Sequence, residues 1–528
     1  MIIQLIDPSN IHLLHSFLQN RLPSTFRYFD KRPITIINNH ILTIVGTLDN
    51  HTISYGHIDL ENNTFWVGLC VLPEYHSRGF GSMMLQFLIL YAENNNISRL
   101  TLSVDITNNS AINLYKKYGF KCTVINNQYI KMEKKIESSI QTDKNICYLP
   151  VSIGEALDKL AILEIKQHQL KGTKLQEVKK EFDMLSKQLN IYFDDITGYN
   201  YQFHYKTLIQ INKTIWNMQD SFRETNDGLT QTRLCMKIIQ DNDRRFRIKN
   251  KINLLGKSHL KEQKGYTSLK AFVLTHIDLG DNITAIPAVR YISTLFDEVV
   301  VVCKQKNLKN VKMFYEDDPT ISFHIVNDDN EISPYFGCPL EKFKEITQNY
   351  TIFTCGMHCG KGIKEIPWDF YDHLRIPPQV YWEYFHVPST REGEELYQSI
   401  DQKYIFIHNS DARGDVYHLE YIETYFDISR DNILFINPTK NCYPCDHKLY
   451  DVAQKFIGHP LLDYKQIIEN ASYNIVSGSS FFCLAMNLDI KTEKNYYYIG
   501  GHSTYDYIWT KYSYPNTRKK FIQIPQID

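Results

Sequence analysis

Val67-Gly-Leu-Cys-Val-Leu-Pro-Glu-Tyr-His-Ser-Arg-Gly-Phe-Gly-Ser82 decides how the rest of the chain is read. Phe65, Trp66, Val67, Leu69, Val71 and Leu72 are β-formers, so the stretch opens as a strand. Pro73 has no N–H to give a ladder and ends it. Ser77-Arg-Gly-Phe-Gly-Ser82 follows, then an apolar helical run from Met83 to Tyr91. A glycine-rich turn between strand and helix aims several backbone N–H groups at one point, and glycine lets a ligand come close. The helix N-terminus adds partial positive charge. Ser77, Arg78, Gly79, Phe80, Gly81 and Ser82 therefore read as a phosphate cradle. Taken alone, Gly79-Phe-Gly81 fits an ordinary glycine turn equally well.

A second motif changes that balance. Thr101-Leu-Ser-Val-Asp105 reads as another strand, followed by Asn108-Asn-Ser-Ala-Ile-Asn-Leu-Tyr-Lys-Lys-Tyr-Gly-Phe120. The pair resembles the GNAT superfamily of acetyl-CoA-dependent N-acetyltransferases, whose loop reads Arg/Gln-x-x-Gly-x-Gly/Ala. Here it is His76-Ser-Arg-Gly79-Phe-Gly81, with His76 in place of Arg or Gln. The later signature is Asn108, Ala111, Tyr115 and Gly119-Phe120. The resemblance implies a splayed mixed α+β sheet with acetyl-CoA in the V between two strands. The loop, with Asn108 beside it, would hold the cofactor. The backbone of Leu69 and Val71 would pair with the pantetheine arm, one N–H polarising the thioester carbonyl. Tyr115 would be the acid for the CoA sulfur; its plain reading is a core tyrosine beside Ile112 and Phe120. GNAT enzymes often carry a Glu on the strand before the loop, but Phe65–Val71 has no acid. His57, on the preceding strand, is then the candidate base, with a water chain as the alternative.

The chain has 528 residues, enough for several domains. Hydrophobic residues make up 43% and charged residues 22%, as in ordinary globular protein. A net charge of -1 gives no bulk electrostatic case for nucleic acid or an acidic membrane. No signal peptide and no membrane span are expected. The 11 cysteines, an odd number, suggest free thiols and a reducing compartment, hence a cytoplasmic protein.

The expected fold class is α/β multidomain: a GNAT domain over 1–136, a coiled helical hairpin over 151–262, and twin Rossmann-like halves over 268–395 and 396–528. In the first, Ile2–Ile6 is a strand and Ser9 caps a helix through Leu18. Ile41–Leu48, Thr52–Leu60 and Thr64–Leu72 form a meander, and Gln128–Met132 the last strand. Residues 137–150 read as a linker. Ser152-Ile-Gly-Glu155 is a capping box. Apolar rows at Leu175, Val178, Phe182, Leu185, Leu189 and at Leu208, Ile211, Ile215, Met218, Phe222 predict paired amphipathic helices. A third helix over Thr232–Lys261 carries Arg244, Arg245, Arg247, Lys249 and Lys251. This run reads as a solvated face, with a phosphate-binding or docking surface as the alternative. The segment resembles an uncharacterised helical family and is expected to act as a spacer or homo-oligomerisation element.

Beyond Ser268, short apolar strands alternate with helical segments, the pattern of parallel α/β units. Leu279-Gly280-Asp281 with Pro287 resembles the heptosyltransferase-like group of GT-B glycosyltransferases. Asp281 matches the position of that group's proposed base. Gly478-Ser479-Ser480 stands at the turn where the group binds a nucleotide sugar's diphosphate, although the usual Asp is here Gly478. Lys440 is a further donor-side candidate. The plain reading of both Asp281 and Ser479-Ser480 is a helix cap. Cys442-x-x-Cys445-x-His447 and Cys355 with His358-Cys359 have no second Cys-x-x-Cys at a matching distance, so no metal site is expected. Together these readings resemble a giant-virus-type bifunctional sugar-modifying enzyme. They predict acetyl transfer to an amino sugar, a nucleotide-linked 4-amino-4,6-dideoxyhexose, with a glycan as acceptor of the second module. The alternative is a protein or polyamine acetyltransferase with a non-catalytic glycan-binding or scaffold half.

Overall fold

The computed structural model describes residues 2–6, 10–30, 32–48, 51–76, 78–95, 97–126, 128–136, 149–189, 196–263, 265, 267–363, 367–410, 418–498 and 521–524. Ser9, Ser77 and most of the expected linker lie outside these. The chain divides into two units, Met1–Leu149 and Pro150–Asp528.

In the first unit the elements are β1 (Ile2–Leu5), α1 (His12–Leu18), β2 (His40–Leu48), β3 (His51–Glu61), β4 (Thr64–Val71), α2 (Phe80–Asn94), β5 (Arg99–Asp105), α3 (Asn109–Lys117), β6 (Lys121–Ile125) and β7 (Tyr129–Lys135). The expected meander is β2–β4. Asn62 and Asn63, at φ 51° and 60°, close its second turn in the left-handed region that asparagine tolerates. The sheet runs β1-β2-β3-β4-β5-β7-β6. All its pairings are antiparallel except β4 with β5, which is parallel and registers only at Trp66 opposite Thr101. Past that point the two strands splay. One face packs Ile58 against Met84, Leu85 and Leu88 of α2; the other packs Tyr55 with Leu14 and Phe17 of α1.

The second unit opens with four helices rather than three, α4 (Ile153–Gln169), α5 (Gly172–Leu189), α6 (Ile196–Glu224) and α7 (Gly228–Leu255). Ser152 caps α4 by accepting from the Glu155 N–H at 3.1 Å. The Glu155 carboxylate, however, meets Lys249 at 2.7 Å and not the cap. Leu189, Leu208, Ile211 and Ile215 pack against Leu157, Leu160, Ile248 and Ile252, so these apolar residues are buried within the chain.

The basic run is not a solvated face. Arg247, Lys249 and Lys251 are buried. Arg247 pairs with Asp297 at 3.1 Å and Lys251 with Asp318 at 2.6 Å, while Arg244 donates to the Tyr384 hydroxyl at 2.7 Å. Arg245 pairs with Asp158 of α4. Arg244, Arg247 and Lys251 thus seam α7 to the α/β layer beside it, while Arg245 and Lys249 pair with Asp158 and Glu155 of the helical layer. The charge pattern could not show this because the acidic partners lie up to 94 residues away.

That α/β layer holds two parallel sheets. The first contains β8 (Lys270–Leu274), β9 (Glu298–Lys304), β10 (Ile321–Val326) and β11 (Thr351–Thr354) in the order β10-β9-β8-β11, with α8 (Leu279–Leu295) after β8. The second contains β12 (Tyr404–His408), β13 (Leu434–Ile436), β14 (Asn474–Ser477), β15 (Asn495–Tyr498) and β16 (Ile522–Gln523) in the order β13-β12-β14-β15-β16. Their buried side chains form one continuous cluster from Ala271 to Ile524. Among the described residues no helix is long and apolar enough to cross a membrane, and the described cysteines are free.

Candidate active site

The splay between β4 and β5 opens a cleft of about 880 Å³, lined by Trp66 to Val71 on one strand, Ser103 to Asp105 on the other, and by Gly81, Asn108 and Tyr115. Among the described residues its β4 wall has no ladder pairing with β5 beyond Trp66. The Leu72 N–H donates to Ile53 of β3 at 2.9 Å. N–H groups alternate along a strand, so those of Val71 and Leu69 point to the opposite edge, into the gap. These are the two residues the sequence assigns to an extended amide-bearing ligand.

His76 takes up part of that edge. Its Nε2 donates to the Val71 carbonyl at 2.9 Å, so the histidine that replaces the usual Arg or Gln braces the strand end. Gly79 has φ 84°, and a Cβ there would meet nothing within 4 Å; the glycine serves the backbone conformation and not space. Gly81 differs: a Cβ would lie 3.3 Å from Leu114 Cδ2, so close helix packing fixes it. Helix geometry leaves the first N–H groups of α2, from Phe80, Gly81 and Ser82, without intrahelical acceptors. That is a fit for a phosphate ester. Arg78 stands over the Tyr75 ring at 5.5 Å.

Asn108 is chiefly a cap. Its side-chain oxygen accepts from the Ala111 N–H at 3.1 Å, and its Nδ2 donates to Thr25 Oγ1 at 3.2 Å. It starts α3, which delivers Tyr115 to the cleft. Tyr115 is 6% exposed, packs edge-on to Phe120 at 5.8 Å, and lines the cleft. Burial, with Cys70 beside it, raises its phenol and keeps it protonated.

The far end of the cleft holds a cluster that the sequence reading met only in part. His57 is 1% exposed and Asp59 4%. The β3 register sets His57 opposite Gly68 and Asp59 opposite Trp66. A Cβ on Gly68 would sit 2.0 Å from His57 Cε1, so only glycine lets that ring lie across β4. Tyr28 tilts over His57 at 4.0 Å and His40 stacks on it at 4.5 Å. The Tyr28 hydroxyl donates to Asp59 Oδ2 at 2.7 Å and lies 2.7 Å from His40 Nε2. Burial holds His57 well below its ordinary value and raises Asp59. Asp59 was legible as the residue two beyond His57 on the same face. Tyr28 was not, since it reaches the site from an irregular segment.

In the second unit, Asp281 is in the first turn of α8 and is not its cap; Asp278 holds that position. Burial, then Asp278, pushes Asp281 up to about 7. Ser479 precedes the short helix Ser480–Ala485 but makes no side-chain cap; its hydroxyl lies 3.0 Å from His408 Nδ1. The first turns of these two helices face each other. A Cβ on Gly280 would lie 3.4 Å from Cys483 Sγ and 4.0 Å from Ser480 Cα. Asp281 and Gly478-Ser479-Ser480 are thus brought together at the carboxyl ends of two parallel sheets, where open α/β sheets bind ligands. Lys440 follows β13 on an exposed loop. His447 pairs with Asp431 at 2.9 Å, and His358 lies 3.4 Å from Asp329.

The first unit thus joins a splayed sheet, a strand edge facing the gap and a glycine turn into a helix. Residues 12–120 match the acetyltransferase (GNAT) family, and residues 148–275 match a family of unknown function, DUF6165. The chain is 38% identical over 63 residues to the probable N-acetyltransferase san of Drosophila melanogaster. That alignment takes in 12% of this chain and 34% of the relative, so the chain spans about a third of that protein's length. Solved structures that are similar include the ribosomal-protein-S18-alanine N-acetyltransferase of Escherichia coli, at 19% identity and TM-score 0.23, covering 28% of this chain and 99% of that one. The PaiA N-acetyltransferase of Thermoplasma acidophilum, solved with coenzyme A, is 19% identical with TM-score 0.22, covering 26% of this chain and 99% of that one.

Proposed function

We propose that the chain transfers acetyl from acetyl-CoA to a primary amine on a sugar, a nucleotide-linked 4-amino-4,6-dideoxyhexose. The observation that supports acetyl transfer is the strand edge on which the Val71 and Leu69 N–H groups face the gap beside the α2 N-terminus, with Tyr115 in the same cleft. Phe80, Gly81 and Ser82 would hold the pyrophosphate, with Ser77 and Arg78 completing the loop. Val71 and Leu69 would hold the pantetheine arm. The bound cofactor supplies an activated thioester. A β4 N–H polarises its carbonyl, Tyr115 protonates the departing sulfur, and the proton acceptor stands on the cleft face of β3, which carries His57 and Asp59.

Cleft charge favours a mono-amine over a polyamine. Among the described lining residues, Glu61 and Asp105 are each paired with an arginine, Arg32 at 3.3 Å and Arg27 at 3.0 Å, and Asp59 is held by the Tyr28 hydroxyl. A sugar acceptor is supported by the fused α/β pair, in which Asp281 would deprotonate a hydroxyl while Gly478, Ser479, Ser480 and Lys440 hold a nucleotide sugar, in the manner of a GT-B glycosyltransferase. The test is CoA release by the full chain over a panel of UDP- and dTDP-amino sugars, peptides and polyamines. Turnover is expected with an amino sugar and should fall about 10²–10⁴-fold in Tyr115→Phe with the KM for acetyl-CoA held. Turnover with peptides alone would move the acceptor to protein.

A further inference from the structure

We infer that Asp59, and not His57, takes the proton from the acceptor amine, with Tyr28 and His57 as its positioning residues. This rests on the acetyltransferase reading above and names the base that the reading leaves between two side chains.

Geometry distinguishes the two oxygens of Asp59. Oδ2 is held by the Tyr28 hydroxyl at 2.7 Å. Oδ1 is buried and, among the described residues, has no hydrogen-bond partner. A buried carboxylate oxygen left unpaired is costly, and an incoming ammonium donor would satisfy it. Tyr28 is itself fixed from behind. His40 Nε2 lies 2.7 Å from its oxygen, and His40 Nδ1 lies 2.8 Å from Thr43 Oγ1. His57 Nε2, 3.7 Å from Asp59 Oδ2, walls the carboxylate on the β4 side.

Charge then decides between the candidates. A proton on His57 creates a cation in a buried stack, against the His40 ring and near Arg32. A proton on Asp59 removes a buried anion. The same burial therefore weakens one base and strengthens the other. The groups facing Asp59 are Tyr28, Arg32, His40, His57 and Glu61; Tyr28 and Arg32 lower it, while burial and Glu61 raise it.

The step balances without a further reagent. The ammonium gives one proton to Asp59 Oδ1, and the freed nitrogen attacks the acetyl carbon. The C–N bond forms and the C–S bond breaks as Tyr115 protonates the sulfur. The second proton leaving nitrogen restores Tyr115, and the one on Asp59 is released to solvent.

The experiment is kcat/KM against pH for the full chain with its best amine, read as CoA release. Asp59→Asn should lower kcat about 10²–10⁴-fold and abolish the acid limb, with the acetyl-CoA KM unchanged. Tyr28→Phe, which removes a hydrogen bond that favours the anion, should move that limb to higher pH. His57→Gln should keep it. Asp59→Asn with wild-type turnover, an acid limb that vanishes with His57→Gln, or a Tyr28→Phe limb that stays in place each overturns the assignment while acetyl transfer stands. Should Asp59→Asn fail to fold, the Tyr28→Phe and His57→Gln profiles decide alone. A wild type in which none of the amines raises CoA release above the amine-free rate refutes the acetyltransferase reading itself.

Discussion

Gly68→Ala isolates one contact on which the acceptor end of the cleft depends. An added Cβ would stand 2.0, 2.5 and 2.9 Å from Cε1, Nδ1 and Nε2 of His57, against the roughly 3.5–4.0 Å at which carbon atoms rest. The ring has nowhere to go, because Tyr28 lies over it at 4.0 Å and His40 at 4.5 Å. Overpacking of this kind costs about 1–3 kcal/mol. The stiffer unfolded chain returns about 0.4–1 kcal/mol. The net loss should be about 1–2 kcal/mol, a factor of roughly 5–30 in local opening. A multidomain chain has no single unfolding free energy, so the measurement is hydrogen exchange of peptides from β3 and β4 in the full-length protein. Exchange should quicken by that factor in Gly68→Ala, and the effect should largely vanish in a His57→Ala background, where the ring is gone. Equal quickening in both backgrounds would mean that the glycine serves the strand backbone and not the histidine, and would refute the reasoning.

Two further outcomes follow from the buried charges. Lys251→Met strands the Asp318 carboxylate in the interior, which costs about 3–5 kcal/mol; the unfolding midpoint of the second unit should drop well below that of the exposed control Lys237→Met, and equal midpoints would exclude a structural pair. His40 and His57 both sit below the ordinary 6.5 in the folded chain, His40 at about 4, each chiefly through burial. The unfolded chain therefore binds their protons first. Their contribution is full above about 6.5 and is lost as the pH falls from there toward 4. Protection of β2 and β3 peptides, corrected for intrinsic exchange, should decline over that window, and His40→Gln should flatten the decline; a flat wild-type profile would contradict it.

Local order was set by the sequence where local chemistry suffices. Alternating β-formers and asparagine turns placed β2 to β4, and the glycine turn into α2 marked a ligand loop. Asn108, a good cap followed by an apolar-periodic run, began the helix that carries Tyr115. The direction of the Leu69 and Val71 N–H groups follows from alternation along a strand, which is local geometry. Short apolar strands alternating with helices likewise announced parallel sheets.

Tertiary structure decided everything that depends on a partner distant in sequence. The cations of α7 look like a solvated face until Asp158, Asp297 and Asp318 are folded against them. His57 looks like a free base with an ordinary pKa until packing beneath Tyr28 and His40 buries it and leaves Asp59 beside it as the group that gains from a proton. Gly68 carries no motif, yet it fixes where that ring lies. Residue order specifies which chemistry is present and which face of an element carries it. Burial and distance, which set proton affinity and charge pairing, exist only once the strands and loops have met.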